Sequence, residues 1–485
     1  MSKVLWIMNK YVGSDKSEEF YPHFLSNTQK QLEKEGHELC FVLFSDLLES
    51  NEMIKNKFVY KDQELLSKKK NDLDIEAVRI EKEYEFTFKQ AYFSDIIQVY
   101  KGQNNRKITV PEKYFKDLSF LVPRFLFLEE LIMSHDFDVI FSDTSPEVEM
   151  EFGRVIGNKL KKIVLKSGEG TALGKTIIRR SMGFGKDQLV EPDMNKFSLN
   201  EAASFCEDFK KYKKSPYSRP QKNISNIPFW IKILKKIKTK NFLSLVFWPL
   251  FFLRRNLMSL YFFAERTVLK PMIYDKYDPN SSYLFIGFHL NQESTMVLRA
   301  QPYTNQTVLV EMLSRTLPYN HILYVRAHPH WPNRYSYKYL SKLKEFPNVR
   351  LLSTKPSIHD IIKNSKGIIT YNATTGIESL IYGKPVLSFA SNIYKDHPAV
   401  DYCEDLFQLG SKLSQLVNRN VKNSDTISYI SKINRISIDF LLGSSLFLSE
   451  QDSIDKAIIF SEFLNKSILW CNINNCYPNS RNFIK

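Results

Sequence analysis

A threonine-rich turn after a predicted strand is the first place in this sequence where chemistry can be expected. Residues 367–371 are rich in β-branched and aromatic side chains and predict a buried strand. The turn at 372–376 follows, with Thr374 or Thr375 as the expected N-cap of a short helix that ends near 383–385. Two hydroxyls, free backbone N–H groups and the helix dipole together favour an anion such as phosphate. The alternative is an ordinary capped helix that binds nothing.

A histidine at the end of another predicted strand could act on the same anion. His328 follows the strand 322–327 directly and precedes Pro329, which favours an extended backbone at the histidine. If this strand and the strand 367–371 are neighbours in a parallel sheet, both loops meet in one crevice at its carboxyl edge. An imidazole beside a helix N-terminus can stabilise negative charge that develops on a leaving group. A structural histidine in a βα loop is the alternative.

The elements around these residues indicate two α/β units. A strand at 4–8, a helix at 18–35 and a strand at 39–44 suit a Rossmann-like half, with further strands at 138–143 and 162–166. The second half alternates cleanly from residue 282, which predicts a doubly wound domain. Its expected strands are 283–288, 322–327, 349–353, 367–371 and 385–389, and its expected helices are 306–317, 337–344, 357–365 and about 401–418.

Composition limits the class of protein without choosing a function. The chain has 485 residues, enough for two or three domains, and 43% of them are apolar, as in a globular protein. Lys plus Arg exceed Asp plus Glu by 68 − 53 = +15, which favours nucleic acid, an anionic membrane or phosphate-bearing substrates as partners. Five scattered cysteines argue for a reducing compartment and against a disulfide framework, and Cys471 and Cys476 lack companions at zinc spacing. The apolar run at 4–8 is too short for a signal peptide, so we expect a cytoplasmic protein.

One basic and aromatic stretch allows two interpretations. Lysines alternate with apolar residues over 231–240, and twelve largely apolar residues interrupted by a proline follow at 242–253. This length is too short to span a bilayer, but an interfacial helix on an anionic membrane would have this composition. A buried interdomain helix is the alternative. The expected domains are 1–205, an insertion at 206–278, 279–420, and a helical tail at 421–485 that packs back on the domains.

Three motifs of the second half resemble a known family. Residues 324–330 (YVRAHPH), 372–379 (NATTGIES) and 382–386 (YGKPV) are similar to the capsular polysaccharide biosynthesis family, which includes the Kdo transferases of capsule export systems. Residues 288–295 and the helix that begins at Gln306 also resemble its nucleotide-side domain. The resemblance implies a GT-B-like α/β fold, with two Rossmann-like domains facing a cleft and the donor nucleotide in the C-terminal one.

The resemblance also assigns roles to individual residues. His328 would lie at the donor phosphate, Thr374 and Thr375 would replace the family's hydroxyl pair there, and Glu378 would reach ribose hydroxyls. A glutamate that decorates the solvent face of the helix is the alternative for Glu378. The full expected nucleotide or phosphate set is Arg326, His328, Thr374, Thr375, Gly376 and Glu378, with weaker candidates at His289, Gln292 and Glu293.

An inverting sugar transfer needs a base that takes the proton of the acceptor hydroxyl. Glu169 lies between two glycines in the polar turn 167–171, where the backbone could approach a ligand, and its placement resembles the family's acidic motif. Asp143, at the end of another strand, is the reserve candidate. For either residue the alternative is a turn residue that bonds its own backbone. Arg179 and Arg180 could steer an anionic acceptor or form a solvated basic face.

The sequence thus predicts an enzyme: a glycosyltransferase of capsule or surface-polysaccharide synthesis with a nucleotide-sugar donor, CMP-Kdo being one candidate. The acceptor would be a glycolipid or polysaccharide, and nucleic acid is not an expected partner. No cofactor is expected, and metal independence follows from the lack of an Asp-X-Asp at a strand end of the donor half. Transfer of a polyol phosphate to a teichoic-type polymer, or non-catalytic binding of polyanions or of the inner membrane face through 231–255, remain alternatives.

Overall fold

The computed structural model describes most of the chain. The described residues are 1–8, 20–44, 48–49, 51–61, 70–93, 117–143, 147–170, 175–183, 186–213, 261, 264–289, 295–328, 335–440, 442, 449–474 and 476. The stretch 231–255 therefore lies outside the described residues. None of the described helices is long and apolar enough to cross a membrane.

The N-terminal sheet is a Rossmann-like half with an antiparallel extension. Its described strands lie in the order β3-β2-β1-β4-β5-β6-β7. The first five strands in this order, β3-β2-β1-β4-β5, are parallel to one another. The strands are β1 (Lys3–Ile7), β2 (Glu38–Leu43), β3 (Lys57–Val59), β4 (Val139–Ser142), β5 (Ile163–Gly170), β6 (Lys175–Ser181) and β7 (Asp187–Leu189). The helices that accompany them are α1 (Tyr21–Lys34), α2 (Lys70–Tyr84), α3 (Val122–Ser134), α4 (Val148–Lys159) and α5 (Leu199–Tyr212).

The polar stretch 167–171 was predicted as a turn, and for residues up to Gly170 this is wrong. These residues continue β5 and pair antiparallel with β6, so that Glu169 lies opposite Thr176. Small polar residues do not look like strand formers, but each finds a ladder partner on β6, and cross-strand pairing overrides propensity. Arg179 and Arg180 lie on β6 and are buried, which excludes the solvated basic face.

The C-terminal sheet is parallel throughout, in the order β10-β9-β8-β11-β12-β13. Its strands are β8 (Tyr283–Gly287), β9 (Ile322–Arg326), β10 (Val349–Leu352), β11 (Gly367–Thr370), β12 (Val386–Ser388) and β13 (Val400–Tyr402). Its helices are α6 (Lys270–Ile273), α7 (Gln306–Thr316), α8 (Tyr337–Ser341), α9 (Ile358–Asn364), α10 (Thr374–Ile381) and α11 (Leu409–Asn418). The predicted helix at 401–418 thus begins later, because residues 400–402 pair with β12 as an edge strand too short to show periodicity.

The last part of the chain ties the two sheets together. Helix α12 (Asn423–Arg435) packs on α5 and α10, whereas the long helix α13 (Glu450–Ile473) packs on α1 of the N-terminal unit. Between them, Ile438 exchanges backbone hydrogen bonds of 3.0 Å with Thr176 of β6. A shared apolar cluster lines this junction, with members from β6, β7, α5, α10 and α12. The two units are therefore joined by a common core as well as by chain connections.

Candidate active site between two sheets

The carboxyl edge of the C-terminal sheet carries three loops with polar side chains. His328 follows β9, His289 follows β8, and α10 follows β11. The strands of His328 and of the threonine turn are not neighbours, because β8 lies between them. Both loops still emerge at the same edge, separated by two strand spacings of roughly 10 Å in total. His289 consequently stands between the two features that the sequence singled out.

The backbone of His289 is fixed by a side-chain amide. Gln306, fully buried at the start of α7, accepts from the His289 N–H at 2.9 Å and donates to its carbonyl at 2.7 Å. The Tyr335 hydroxyl donates to the same carbonyl. The His289 ring stands almost perpendicular to that of Tyr371, with 5.7 Å between the ring centroids. This explains why a glutamine begins α7: it positions the loop after β8.

Arg326 ends β9 and is almost fully buried. One terminal nitrogen, Nη2, donates to the Thr354 carbonyl at 2.9 Å. Its Nε and Nη1 are buried without a hydrogen-bond partner among the described residues. Burial lowers the pKa of this guanidinium, which marks it as a cation held at a cost in free energy. A buried arginine at a strand end fits an anionic or carbonyl-bearing ligand.

The start of α10 differs from the prediction in its capping. Ala373, not Thr374 or Thr375, is the N-cap residue, and both threonines already have helical positions. The Thr370 hydroxyl, at the end of β11, accepts from the Ala373 N–H at 3.0 Å and so fixes the turn that leads into the helix. Thr374 and Thr375 remain half-buried at the first turn. The amino end of α10 therefore keeps both hydroxyls beside its first N–H groups.

Gly376 is required by packing within the protein. A Cβ at this position would lie 2.3 Å from both Cζ and Oη of Tyr394. The Tyr394 hydroxyl donates to the Ala373 carbonyl at 2.9 Å, so the tyrosine packs directly against the first turn of α10. The absence of a side chain at Gly376 thus leaves room for Tyr394. The sequence predicted a phosphate-binding role for this glycine and not this packing role.

Glu378 is buried, so the alternative of a solvent-facing glutamate is wrong. Only 6% of the residue is exposed. Burial raises the pKa of Glu378 to about 7, against the opposing effect of a hydrogen bond with the Thr374 side chain. At neutral pH this carboxyl therefore exists as a mixture of its neutral and ionised forms, one turn from the start of α10.

Sequence reasoning did not select two buried polar residues at the end of β11. Both amide atoms of Asn372 and the hydroxyl of Tyr371 lack hydrogen-bond partners among the described residues, and both residues are nearly inaccessible. Buried polar groups are seldom left unpaired without a functional reason. Tyr371 ends the predicted strand 367–371 and Asn372 follows it directly, and this position was the signal that could have found them.

Asp143 is a buried carboxyl group that directly follows a strand of the N-terminal sheet. It follows β4, is 7% exposed, and accepts a hydrogen bond from the Ser167 hydroxyl at 3.3 Å. Burial raises the pKa of Asp143 to about 6, although Ser167 and Arg154 favour the ionised form. A carboxylate with this pKa is a better proton acceptor at neutral pH than an ordinary aspartate.

Three predicted residues are not tested by side-chain geometry. The backbone of Glu169 belongs to β5, but its side chain lies outside the described part of the structure. Gln292 and Glu293 lie in the stretch 290–294, also outside the described residues. Within the part that is described, no three His, Cys, Asp or Glu side chains lie close enough to hold a metal ion.

The two units meet at Asp187 of the N-terminal sheet. Asp187, at the start of β7, receives a hydrogen bond of 2.9 Å from Lys395 on its backbone carbonyl, and its carboxylate lies 3.8 Å from Nε of Arg299. Both partners belong to segments that follow strands β12 and β8 at the carboxyl edge of the C-terminal sheet. The C-terminal loops therefore face the β5–β7 side of the N-terminal sheet. This is the two-domain, GT-B-like α/β arrangement that the sequence predicted.

Comparisons with known proteins concern the fold and one segment of the chain. The β-Kdo 2,7-transferase KpsC of Thermosulfurimonas dismutans is 14% identical over 70% of this chain and 89% of that chain, with a TM-score of 0.32. The UDP-GlcNAc 2-epimerase of Methanocaldococcus jannaschii is 11% identical over 89% and 97% of the two chains, with a TM-score of 0.26. Such low TM-scores carry no argument about the reaction. None of the curated proteins matches the sequence.

The family comparison matches the segment that contains the candidate donor side. Residues 265–398 match the model of the family described as capsule polysaccharide biosynthesis protein. This segment includes β8 to β12, α10, His289, Arg326 and His328. For this segment, the match confirms the resemblance to the capsule polysaccharide biosynthesis family that the three motifs predicted.

Proposed function

We propose that the protein is a glycosyltransferase of capsule or surface-polysaccharide synthesis that uses a nucleotide-sugar donor. The observation that carries this proposal is the meeting of two differently equipped sheets. The C-terminal edge offers His289, His328, Arg326 and the start of α10 within the family-matched segment. The N-terminal sheet offers the buried carboxyl of Asp143, whose pKa is raised to about 6, and it contacts the C-terminal unit through Asp187. A base opposite a phosphate-binding edge is what a direct sugar transfer requires.

The nucleotide would lie across the loops after β9, β8 and β11. The first turn of α10 and its two threonine hydroxyls would receive the phosphate. His328 would donate to the phosphate oxygen that becomes the leaving group, and Arg326 would supply positive charge beneath it. Glu378, one helical turn away, would hydrogen-bond the sugar hydroxyls of the nucleoside.

The reaction would be a single displacement with inversion. Asp143 would take the proton of the acceptor hydroxyl as its oxygen attacks the anomeric carbon of the donor sugar. The bond from that carbon to the phosphate oxygen would break, and the nucleotide would leave with the electron pair. Glu169 remains the alternative base, and CMP-Kdo remains the candidate donor, with a lipid- or polymer-linked glycan as acceptor. No step of this scheme requires a metal ion or another cofactor.

Nucleotide binding is the first test. Affinities of CMP, UDP and GDP should be measured by calorimetry for the wild type, His328→Ala and His321→Ala. His321 is the matched control because it precedes the same strand at its opposite end and contacts the Tyr319 carbonyl. We expect one nucleotide to bind the wild type and His321→Ala alike, and to bind His328→Ala about tenfold more weakly. Absence of nucleotide binding by the wild type would contradict the proposal and favour a non-catalytic polyanion-binding protein.

Donor hydrolysis then separates the transfer reactions. A panel of nucleotide sugars, with CDP-linked polyols included, should be incubated with the protein, and the released nucleotide measured. Release of CMP and free Kdo from CMP-Kdo would support sugar transfer. Release from a CDP-polyol alone would instead establish the polyol-phosphate alternative.

A further inference from the structure

A buried arginine on helix α4 reaches the end of the strand that carries Asp143. Arg154 donates from Nε to the Ser142 hydroxyl at 3.3 Å and from Nη2 to the backbone carbonyl of Asp143 at 2.7 Å. Its Nη1 contacts the carboxylate of Glu151, one helical turn away. The side chains of Arg154 and Glu151 are both more than nine-tenths buried. One guanidinium thus connects the helix to the last residue of β4 and to the candidate base.

Two glycines allow α4 to lie close enough to the sheet for these contacts. A Cβ at Gly157 would lie 2.7 Å from Cγ2 of Val164 on β5, and a Cβ at Gly153 would overlap the side chain of Ile7 on β1. Because the helix backbone packs directly on strand side chains at these two positions, the distance between helix and sheet is fixed. Arg154 follows Gly153 in the chain and so extends from a backbone position that the sheet determines.

Arg154 bonds the backbone of Asp143 but does not pair with its carboxyl group. The Oδ1 atom of Asp143 accepts from the Ser167 hydroxyl at 3.3 Å, and within the described part of the chain this carboxyl has no basic side chain as a partner. Burial raises the pKa of Asp143 to about 6, and the charge of Arg154 acts against burial from a distance. A direct ion pair would lower the pKa of a carboxyl by about 1–3 units and make it a poorer proton acceptor.

The described elements that pack against β4 are β1, β5 and α4. Strand β1 ends in apolar residues at the same edge. The charged residues that β5, α4 and the N-cap of α4 bring near the end of β4 are Lys166, Glu147, Glu149, Glu151 and Arg154. Lys166 contacts the Asp187 carboxylate, and Glu149 contacts Arg124 of α3. Among these described groups, Arg154 is the one whose charge displaces the pKa of Asp143.

We propose that Arg154 is a positioning residue for Asp143, and that Glu151 limits how strongly the charge of Arg154 acts on the base. Arg154 fixes the backbone of Asp143 and the hydroxyl before it, so that the carboxyl keeps one orientation. Its charge favours the ionised carboxylate, whereas its contact with Glu151 holds Nη1 and prevents a direct ion pair with Asp143. The role in sugar transfer rests on the proposed function, whereas the control of Asp143 ionisation does not.

Two substitutions with effects of opposite sign test this role. Arg154→Gln should raise the pH at which the Asp143 carboxyl titrates by about one unit, and Glu151→Gln, whose amide oxygen still accepts from Nη1, should lower it by about as much. The titration is followed by NMR on protein labelled with carbon-13 at the aspartate carboxyls, and loss of a signal in Asp143→Asn identifies the residue. Arg124→Gln is the matched control: it breaks another arginine–glutamate contact of α4 and should leave the titration unchanged.

The double variant Glu151→Gln/Arg154→Gln decides the question if a single variant does not fold. It removes both charges of the buried pair, so that neither is left uncompensated. We expect Asp143 to titrate above the wild-type pH in the double variant, because Arg154 is the charge that bonds its backbone, and below the pH of Arg154→Gln. Shifts of the same sign in both single variants, no shift in either, or a double variant that titrates as the wild type does would overturn the proposal and leave Arg154 and Glu151 as a structural ion pair.

Arg154→Lys separates the charge from the orientation. Lysine keeps the positive charge, but its ammonium lacks the planar fork that contacts Ser142, Asp143 and Glu151 together. We expect kcat for sugar transfer to fall about tenfold with KM for the donor and the acid limb of the pH–rate profile unchanged, whereas the limb moves up in Arg154→Gln and down in Glu151→Gln.

The NMR titration and the transfer assay can fail independently. If the Asp143 titration responds as expected but the wild type transfers no sugar, the proposed function fails and the control of Asp143 by Arg154 stands. If sugar is transferred but the titration does not respond, the positioning role fails and the proposed function stands.

Discussion

The N-terminal and C-terminal sides of the candidate site use polar groups in opposite ways. On the N-terminal side, ionised groups are buried together, with Lys166, Arg179 and Arg154 close to the carboxyls of Asp143 and Asp187. On the C-terminal side, α10 presents hydroxyls and backbone N–H groups, and loop backbone is fixed by neutral side chains such as Gln306. Arg326 brings a buried cation to that edge of the sheet.

The two sides are therefore suited to two different tasks, phosphate binding and proton transfer. Backbone N–H groups and hydroxyls hold a phosphate without changing protonation, which suits a donor that must be bound and released. Buried titratable groups have displaced pKa values, which suits proton transfer from an acceptor. We therefore expect substitutions on the N-terminal side to change turnover, and those on the C-terminal side to change nucleotide affinity.

The largest effect is expected from Asp143→Asn. Loss of the base should reduce transfer by about 10²–10⁴-fold with nucleotide affinity unchanged. Because the folded-state pKa of Asp143 is raised from 3.8 to about 6, its ionisation opposes folding, and this cost develops as the pH rises through that interval. The free energy of unfolding of the variant should thus exceed that of the wild type by about 1–3 kcal/mol at pH 7 and match it near pH 3.

Turnover and urea unfolding at both pH values check this prediction. Glu169→Gln is the matched comparison, since it removes the other candidate base from the same sheet. If Asp143→Asn transfers sugar normally and Glu169→Gln does not, the assignment of the base moves to Glu169.

Arg326→Lys should sharpen the contrast on the nucleotide side. Lysine keeps the positive charge but has no planar fork to contact the Thr354 carbonyl and a ligand together. Nucleotide affinity measured by calorimetry should fall about tenfold, and the rate with saturating donor should change less. Arg350→Lys on the adjacent strand β10, where the arginine contacts the Pro347 carbonyl, is the control and should bind normally. Equal losses in both variants would indicate a general effect on the sheet.

Gly376→Ala should act through packing. The new Cβ would overlap Tyr394, so the tyrosine or the first turn of α10 must move, with an expected loss of about 1–3 kcal/mol in unfolding free energy. Gly410→Ala in α11 is the control, because nothing lies within 4 Å of its Cβ position and alanine favours a helix. Thermal unfolding of both variants measures the difference. A stable Gly376→Ala protein with lost nucleotide binding would instead support a direct phosphate role for the glycine.

The smallest effect is expected from Glu378→Gln. The raised pKa of Glu378, about 7, means that its carboxylate forms as the pH rises from 6 to 8. Negative charge near the start of α10 should then weaken phosphate binding a few-fold, and the glutamine variant should lose this pH dependence. The stability that the neutral carboxyl contributes is complete below about pH 4.5 and is lost as the pH passes 7. Calorimetry at pH 6, 7 and 8 measures this pH dependence of phosphate affinity. If the affinity of the variant changes with pH as that of the wild type does, Glu378 is not the source of the dependence.

Several elements of the fold followed directly from local sequence pattern. The strands β8 to β12 and the helices α7 and α10 lie within a few residues of their predicted bounds, because each has buried apolar residues at its own period and a glycine or proline nearby. The position of His328 and of the threonine turn at one carboxyl edge also followed, since every strand of a doubly wound sheet runs the same way. These features depend only on neighbours in the chain.

What the sequence could not determine depends on pairing between distant residues. The place of β8 between β9 and β11, the extension of β5 by its pairing with β6, and the burial of Glu378 are set by tertiary contacts. The contacts of Asp187 with Lys166 and Arg299 are the clearest case, because these residues share no motif and only the folded chain brings their charges together. Sequence periodicity records which residues are buried, but it does not record against which partner, and the electrostatics of this site depend on the partner.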